Sequence, residues 1–596
     1  MVRTLPENPV EISRSLFGEK DMKKGLVVLA GILWVSGSPL FGQEPQIEEA
    51  DLPRWVEEDV INFFNDPSTI HFTSRTRIPS TRVVVGDVAA LGGPFTIAGE
   101  VDGDLVVVNG DLVFEAGGVV SGNVMVIGGR VFGEDLAQIG GNVRIFDEPL
   151  RYVQRGEQIA SAGRPEDREG FGPDFPWGDA RFTIKAGQNY NRTEGLPVMF
   201  GPVFRTAGAN PLRLDAFGIW RTDMGFDLDS EDFGWALRAE QALGGRNNLS
   251  VGGTFFSFVD PIEEWGVTNL EASLATFILH KDYRDYYERT GWSAYAQFRF
   301  PYTPIELKAE FFQEDHDFMP VVSPWSLTKN DKPWRKQPLV AEGDVRFMEG
   351  SITVDTRNDQ TDPSDGWLLQ ASARRGLGGD LFVPSFQVSD EGGTETIKST
   401  EVGTDFLTGF VDLRGYLRIN PGASLNLRGV AGGALSDVPL PPQFQHILGG
   451  VGSLPGHRRF AQDCGARDVF GTFDHVTDQG ALTTDAFASY GCDRFALFQI
   501  EFRGRLFTDW GFGGGERDPW EEDWNWYPAI DFSPNWSAFF DAGRAWSIGG
   551  NDTNTLMDLG VGLFFGDLGL YFALPLNEDE NGDRNGDFFI RLSRRF

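Results

Sequence analysis

Histidine, cysteine and acidic side chains are the residues with which this chain could do chemistry, and most of them are scattered. None of the six histidines pairs at a metal-ligand spacing, and no Gly-x-Ser-x-Gly elbow or phosphate-binding glycine loop is present. A loop pair such as Asp474 and His475 keeps a rim-bound hydrolase as the weakest of the function hypotheses. We therefore expect no enzymatic activity and no cofactor.

One acidic run has the spacing of a calcium-binding loop. Oxygen-bearing side chains occur there at every second position: Asp579, Asn581, Asp583, Asn585 and Asp587. Such oxygens are calcium ligands, but the long glutamate that completes an EF-hand is missing. A solvated hairpin loop between two strands is favoured over a metal site.

The composition excludes several function classes. The 596 residues include 52 Lys+Arg and 87 Asp+Glu, giving a net charge of -35, which repels phosphate backbones and argues against nucleic acid as a partner. Beyond the N-terminus no apolar run reaches the length of a membrane-spanning helix. If the chain enters a bilayer, it must do so as strands.

The N-terminus indicates export. An apolar run at residues 25–41 follows Met22, Lys23 and Lys24, which is typical of a signal peptide; we assign it residues 1–42 and place the translation start at Met22. An uncleaved anchor helix is the alternative, although the run is short for a span. Export makes Cys464 and Cys492 disulfide candidates. Their disulfide would close a ring of about 29 residues and should stabilise the loop by roughly 3 kcal/mol.

Two different patterns follow the leader. Residues 43–78 are polar, with one amphipathic helix at about 52–64, whereas residues 79–148 repeat Gly-Asp or Gly-Asn before β-branched runs at intervals of 17 and 19 residues. Short strands at a fixed period predict a β-solenoid, and the stretch resembles the β-helix of bactofilin-type proteins. A small β-sandwich is the alternative. Residues 149–178, rich in Arg, Glu, Gly and Pro, are predicted to be a linker.

From residue 179 to 596 apolar and polar side chains alternate. Trp292, Ala294, Ala296, Phe298 and Phe300 share one strand face, while the residues between them are mostly polar. Segments of about ten residues, separated alternately by long acidic loops and short turns, favour a membrane barrel over a soluble sheet. We predict an all-β chain: a 16-stranded antiparallel transmembrane β-barrel preceded by a small β-solenoid.

The last strand carries a possible assembly signal. Phe588, Ile590, Leu592 and the terminal Phe596 are predicted on one face, although Arg594 interrupts the pattern. A terminal aromatic on an alternating strand resembles the signal by which barrel proteins are recognised for insertion.

Several ordered motifs resemble those of the bacterial surface antigen superfamily, the BamA/TamA type of outer-membrane barrel. They are the Asp-x-Arg-Asn run at residues 354–359 with Pro363 and Gly366, and the stretches 449–457, 539–543, 559–562 and 570–576. The resemblance implies an outer-membrane location and a role in inserting or translocating proteins. It also implies N-terminal POTRA domains, for which the glycine-punctuated strands at 79–148 leave no room.

The resemblance further implies a loop between strands 11 and 12 that folds into the barrel lumen. We call this segment, residues 438–491, the lid loop; its tip is Leu454, Pro455, Gly456 and His457. In the family an arginine at the tip is held by an acidic residue on a Phe-x-Asp strand. Here Pro455 holds that position, so we expect Arg458 or Arg459 to pair with Asp541, with Glu501 as second acceptor. Ordinary solvated loop charges are the alternative.

These observations predict an outer-membrane barrel with a periplasmic solenoid, acting in protein assembly or translocation. Its partners would be outer-membrane lipid, unfolded barrel clients and a periplasmic ligand of the solenoid. The alternative is a passive pore or an envelope tether.

Overall fold

The structure is a computed structural model. It describes residues 52–596 apart from these gaps: 74, 147, 156–157, 163–169, 188, 209, 224–232, 245–247, 302, 329–330, 360–361, 391–392, 421, 463, 465–469, 478–479, 488–489, 507–533, 551–552, 566–567, 579–583 and 593. The predicted leader, residues 1–42, lies outside the described residues. Among the helices of the described part, none has the length and apolar character needed to cross a membrane.

A three-sided β-solenoid forms the N-terminal module. Its strands stack in parallel as three sheets, β1-β4-β7-β10-β13, β2-β5-β8-β11 and β3-β6-β9-β12. Their bounds are β1 Ile70–Phe72, β2 Thr76–Ile78, β3 Val83–Val85, β4 Val88–Leu91, β5 Phe95–Ile97, β6 Glu100–Asp102, β7 Leu105–Val108, β8 Leu112–Phe114, β9 Val119–Val120, β10 Val124–Ile127, β11 Val131–Phe132, β12 Gln138–Ile139 and β13 Val143–Phe146. The predicted solenoid is confirmed. It begins at Ile70 rather than 79, because β1 and β2 pair with β4 and β5 although their sequence lacks the Gly-Asp motif.

The Gly-Asp and Gly-Asn repeat builds one corner of the solenoid. The Asp87 carboxylate accepts from the backbone N–H of Asp104 at 2.9 Å, and Asp104 accepts from Asn123 at 2.7 Å. Asn123 in turn accepts from Asn142 at 3.1 Å. The preceding glycine is required because a Cβ on Gly103 would lie 2.5 Å from the backbone of Gly86. The motif is therefore a side-chain ladder that satisfies corner N–H groups turn after turn.

Helix α1 (Arg54–Asn65) covers one outer face of the solenoid. Val56, Val60 and Phe64 recur at the spacing of one helix face and pack with the outward residues of the first sheet. The predicted amphipathic helix is thus found, and its apolar face is buried on the solenoid. The predicted linker contains a hairpin, β14 (Tyr152–Arg155) and β15 (Gln158–Ser161), which the Asn65 side chain joins to the helix through two hydrogen bonds to Ile159.

One large antiparallel sheet makes up most of the chain. Its segments pair in chain order, and their bounds are β16 Asp174–Phe175, β17 Gly178–Ala186, β18 Pro197–Thr206, β19 Leu212–Arg221, β20 Phe233–Leu243, β21 Leu249–Pro261, β22 Tyr286–Arg299, β23 Ile305–Phe318, β25 Glu342–Asp355, β26 Gly366–Val383, β29 Thr400–Val402, β30 Leu407–Asn420, β31 Ala423–Ala434, β34 Arg494–Arg505, β35 Asn535–Trp546, β36 Leu556–Phe565, β37 Leu568–Pro575 and β38 Asp587–Arg591. These segments are unequal, since β29 and β30 both pair with β26 and β16 has only two residues. Within the described residues the sheet has 18 segments, of which 16 are longer than three residues and two, β16 and β29, are not.

The sheet is apolar outside and charged inside. On β22, Ala294, Ala296 and Phe298 are exposed while Ser293 and Tyr295 are buried, as the alternation predicts. Phe255 and Val561 are each 56% exposed on the outer surface, whereas Arg428 and Glu501 are buried inside. This distribution is that of a transmembrane barrel, in which the apolar face contacts lipid.

The two rims of the barrel differ. One rim, here the turn-side rim, carries short connections such as residues 300–304 and 421–422; the other, the loop-side rim, carries long ones. The long connections include helix α2 (Asn269–Leu279) and a second sheet made of β24 Gln337–Pro338, β27 Phe386–Asp390, β28 Gly393–Ile397, β32 Phe470–Thr477 and β33 Gly480–Phe487.

The solenoid lies against the turn-side rim. The indole N–H of Trp55 on α1 donates to the backbone oxygen of Asp355 at 3.1 Å. Glu134, in the last full rung, pairs with Arg418 at 2.5 Å. Two separate contacts therefore set the orientation of the solenoid on the barrel.

The corner ladder can be tested with Asp104→Ala. This change removes the acceptor of the Asn123 backbone N–H, and we expect it to destabilise the solenoid by about 1 kcal/mol. The measurement is amide hydrogen exchange in the full chain, which should become faster at residues 119–127. Asp135→Ala, at an exposed position outside the ladder, is the control. Equal exchange in the two variants would contradict the ladder.

Candidate functional site

The lumen wall is built from paired charges. Strand geometry places residues i and i+2 on one face, so oppositely charged neighbours meet within a strand. Arg238 and Glu240 pair on β20, Lys308 and Glu310 on β23, and Arg414 and Asp412 on β30. Asp412 also receives Arg428 from the adjacent strand at 2.7 Å. Inward charges are therefore neutralised where they leave water.

The lid loop folds into the lumen, as predicted. The backbone N–H of Gly456 donates to Asp558 on β36 at 2.7 Å, and the His457 ring lies 3.0 Å from the backbone oxygen of Met557. A Cβ at position 456 would lie 2.7 Å from that of Asp558, so glycine allows the close approach. Gln499 donates to the backbone oxygen of Ser453 at 2.9 Å. The lid tip is thus held on the inner face of the last barrel strands.

Neither lid arginine pairs with Asp541 as predicted, since Asp541 is buried and pairs with Arg595, whereas Arg458 is exposed. Arg459 instead pairs at 3.1 Å with Asp285, which precedes β22. Asp285 also receives Arg192 and Arg335, each at 2.5 Å, from two other loop-side connections. Burial raises the pKa of the Asp285 carboxyl, but the three arginines outweigh burial and hold it well below its usual range. Alternation along strands could not reveal Asp285, because it lies in a connection.

Asp541 is occupied by the chain's own C-terminal tail. The Arg595 guanidinium donates to both carboxylate oxygens of Asp541, at 2.7 and 2.5 Å, and stacks on the Phe539 ring at 3.6 Å. Asp541 and Asp558 are direct cross-strand partners and both are fully buried. Two buried like charges in that register are destabilising unless a cation is supplied. Arg595 supplies it, one position before the end of the chain.

The tail also corrects the prediction for the last strand. Phe588 and Ile590 face outward, but β38 ends at Arg591 and Phe596 is buried at 6% exposure rather than sharing their outer face. Arg503 donates to the backbone oxygen of Phe596 at 3.3 Å and pairs with Glu501 at 2.9 Å. Charge pairing inside the barrel therefore outweighs continuation of the strand. Leu592 is half-buried at the point where the chain turns.

Helix α2 is a part of the site that sequence patterns missed. Glu271 on its first turn pairs with Arg591 of β38 at 2.7 Å. Just before the helix, Gly266 approaches the lid loop so closely that a Cβ on Gly452 would lie 2.9 Å from the Gly266 backbone. The helix begins with Thr268, whose side chain accepts from the N–H of Glu271. That Thr-x-x-Glu capping pattern is the signal that could have identified it.

The other predicted site residues occupy separate places. Cys464 of the lid loop forms a disulfide with Cys492, the residue directly after that loop. Asn585 and Asp587 of the calcium-like run are exposed, while residues 579–583 lie outside the described part of the chain. Within the described residues, no cluster of three or more His, Cys, Asp or Glu side chains has the geometry of a metal site. The side chains of Asp474 and His475 lie outside the described part as well.

The comparisons with known proteins concern structure. No family model and no curated protein matches the chain. BamA from Haemophilus ducreyi lacking POTRA domains 1–3 is similar at 13% identity, covering 69% of this chain and 70% of that one, with a TM-score of 0.39. CdiB from Escherichia coli is similar at 11% identity, covering 74% of this chain and 67% of that one, with a TM-score of 0.30. CdiB from Acinetobacter baumannii, also at 11% identity, covers 70% of this chain and 60% of that one, with a TM-score of 0.29. The first of these proteins belongs to the family that the sequence motifs resemble. Because identities and scores are low, these similarities concern the fold alone.

Neighbouring arginines of the tail offer a matched test. Arg595→Met leaves Asp541 buried without its cation, which should cost about 3 to 5 kcal/mol of unfolding free energy. Arg594→Met removes a pair with the half-exposed Asp362 and should cost about 1 kcal/mol or less. Urea unfolding in lipid vesicles measures both changes, and equal losses would rule out a special role for Arg595.

The lid contact predicts a different phenotype. Arg459→Met should loosen the lid loop by about 1 to 3 kcal/mol while the barrel stays folded, because Asp285 keeps two other arginines. Protease cleavage at residues 450–460 and single-channel conductance should both rise, and heat-modifiability should be unchanged. Arg505→Met, at an exposed rim position, is the control. If cleavage and conductance match those of the control, Arg459 does not hold the loop.

Proposed function

We propose that this protein inserts or translocates other outer-membrane proteins at the seam of its barrel, without covalent catalysis. The observation that carries the proposal is the seam itself. Among the described residues, the last strand β38 pairs with β37 and has no backbone pairing with β17. In lipid, every unpaired strand edge leaves N–H and C=O groups unsatisfied. An edge of this kind favours pairing with an incoming strand.

The filled lumen supports this function over a passive pore. The lid tip, helix α2 and the C-terminal tail all lie inside the barrel and are tied to its wall through Asp558, Arg591 and Asp541. A pore for small solutes requires an open lumen. Here the lumen side chains instead position segments of the chain near the last strands, next to the seam.

The proposed setting is the outer membrane of a Gram-negative-type bacterium, with the solenoid on the periplasmic side. The apolar outer surface would contact lipid, and unfolded barrel proteins would be the clients. The solenoid lies on the turn-side rim, where it would meet clients or a periplasmic partner.

An envelope tether is the second candidate, favoured by one observation. On the first rung of the solenoid, away from the rung that meets the barrel, Val83 and Val85 are 54% and 72% exposed. An apolar pair at the free end is suited to binding another protein.

Depletion in the native bacterium distinguishes the candidates. Under the assembly proposal, other barrels should decline in the outer membrane, and wild-type protein should restore them. Val83→Glu with Val85→Glu should restore them too, since this pair lies far from the seam. Unchanged barrels together with altered envelope shape, uncorrected by the double variant, would reject assembly in favour of the tether.

A further inference from the structure

The outer edge of β17 is occupied by the chain itself. On its other edge β17 pairs with β18 through nine residue pairs, as a barrel strand should. On the seam side, residues 170–175 run antiparallel along it; we call them the capping segment. Their pairs are Phe171 with Phe182, Asp174 with Asp179 and Phe175 with Gly178, all in one register.

Backbone hydrogen bonds hold the capping segment on β17. The N–H of Phe171 donates to the oxygen of Phe182 at 3.1 Å, and the N–H of Phe182 returns a bond at 2.8 Å. The N–H of Ala180 donates to the oxygen of Pro173 at 3.2 Å. These are the edge groups of β17 that a neighbouring strand would otherwise satisfy.

The side chains of the capping segment imitate a barrel strand. On the lipid side the Phe171 ring packs on Phe182, with centroids 5.6 Å apart. On the lumen side Arg181 pairs with Asp174 and lies 3.7 Å from Asp179, so it offsets two opposed carboxylates. Aromatic residues outside and paired charges inside are the pattern of the strands around it.

The backbone hydrogen bonding of the segment to β17 nevertheless has a gap. Among the described residues the segment reaches positions 178–182 of β17, and within it Pro173 has no N–H to donate to Ala180. Phe171 remains 67% exposed. A longer strand with regular alternation would form more hydrogen bonds and bury more apolar surface on the same edge.

The strand on the other side of the seam, β38, is short. β38 stops after five residues, and the tail that could have continued it lies in the lumen on Asp541. One edge is therefore covered and the other is brief in the resting protein, which limits the number of unsatisfied backbone groups in lipid.

We propose that residues 170–175 are a resident strand that occupies the seam edge of β17 and is displaced by an extended client strand. This inference rests on the proposed function and names the part of the chain that regulates it. The displacing strand would carry aromatic or aliphatic side chains on its lipid face, as β38 does with Phe588 and Ile590. Exchange of one strand for another keeps the edge paired throughout.

Two variants test the inference in opposite directions. A Cβ at position 172 would lie 2.0 Å from the backbone oxygen of Ala180, so Gly172→Val should expel the segment. Phe171 and Phe182 are a hydrogen-bonded pair with Cα atoms about 5.5 Å apart, within disulfide range, so Phe171→Cys with Phe182→Cys should lock it.

The probe is a fluorescent peptide with the sequence of residues 587–596, titrated against full-length protein in lipid nanodiscs. Gly172→Val should bind it about tenfold more tightly than wild type, since two or three hydrogen bonds no longer compete. The oxidised cysteine pair should bind about tenfold more weakly and recover on reduction. Gly350→Val is the matched control, because a Cβ there contacts nothing within 4 Å. Wild type with and without reductant controls for the native disulfide.

Equal peptide affinity in wild type, Gly172→Val and the oxidised pair would overturn the inference, as would failure of the two cysteines to cross-link. If Gly172→Val loses heat-modifiability, the cysteine pair alone decides, because its reduced and oxidised forms share one sequence. If the peptide responds as expected but vesicles containing the protein insert no denatured barrel proteins, the resident strand stands and the assembly function fails.

Discussion

Backbone hydrogen bonding in lipid is the constraint on which this structure depends. A sheet surrounded by hydrocarbon has no water to satisfy its edges, so it must close, cover or shorten them. Here the long strands pair in chain order up to a seam between the first and the last of them. The capping segment covers β17, and the C-terminal tail leaves β38 for the lumen after five residues. Among the described residues, the segments at the seam are short and make few backbone hydrogen bonds.

Charge neutralisation inside the barrel decides how the lumen is filled. Buried carboxylates on adjacent strands would repel each other, and each is stabilised by an arginine or by a backbone N–H from another segment. Asp541 receives Arg595, Asp558 receives the lid tip, and Asp285 receives Arg459. These contacts connect the tail and the lid tip to β35 and β36, and the lid loop to the connection before β22.

The solenoid at the turn-side rim is stabilised in a different way from the barrel. Its parallel rungs bury an apolar interior, and its corner ladder satisfies backbone N–H groups at successive turns. Helix α1 covers one face and contacts the barrel through Trp55.

The sequence by itself determined the regular parts of this protein. Alternation along strands such as β22 predicted which side faces lipid, and the Gly-Asp period predicted the solenoid, because both depend on backbone geometry that repeats locally. The lid loop and its inward path were expected only from the resemblance to the surface antigen superfamily. The partners inside the lumen could not: Arg595 rather than Arg459 reaches Asp541, and Asp285 takes Arg459. Those pairings join residues tens to hundreds of positions apart, and only the folded sheet brings them within hydrogen-bond distance, since burial, rather than spacing, selects which charges must meet.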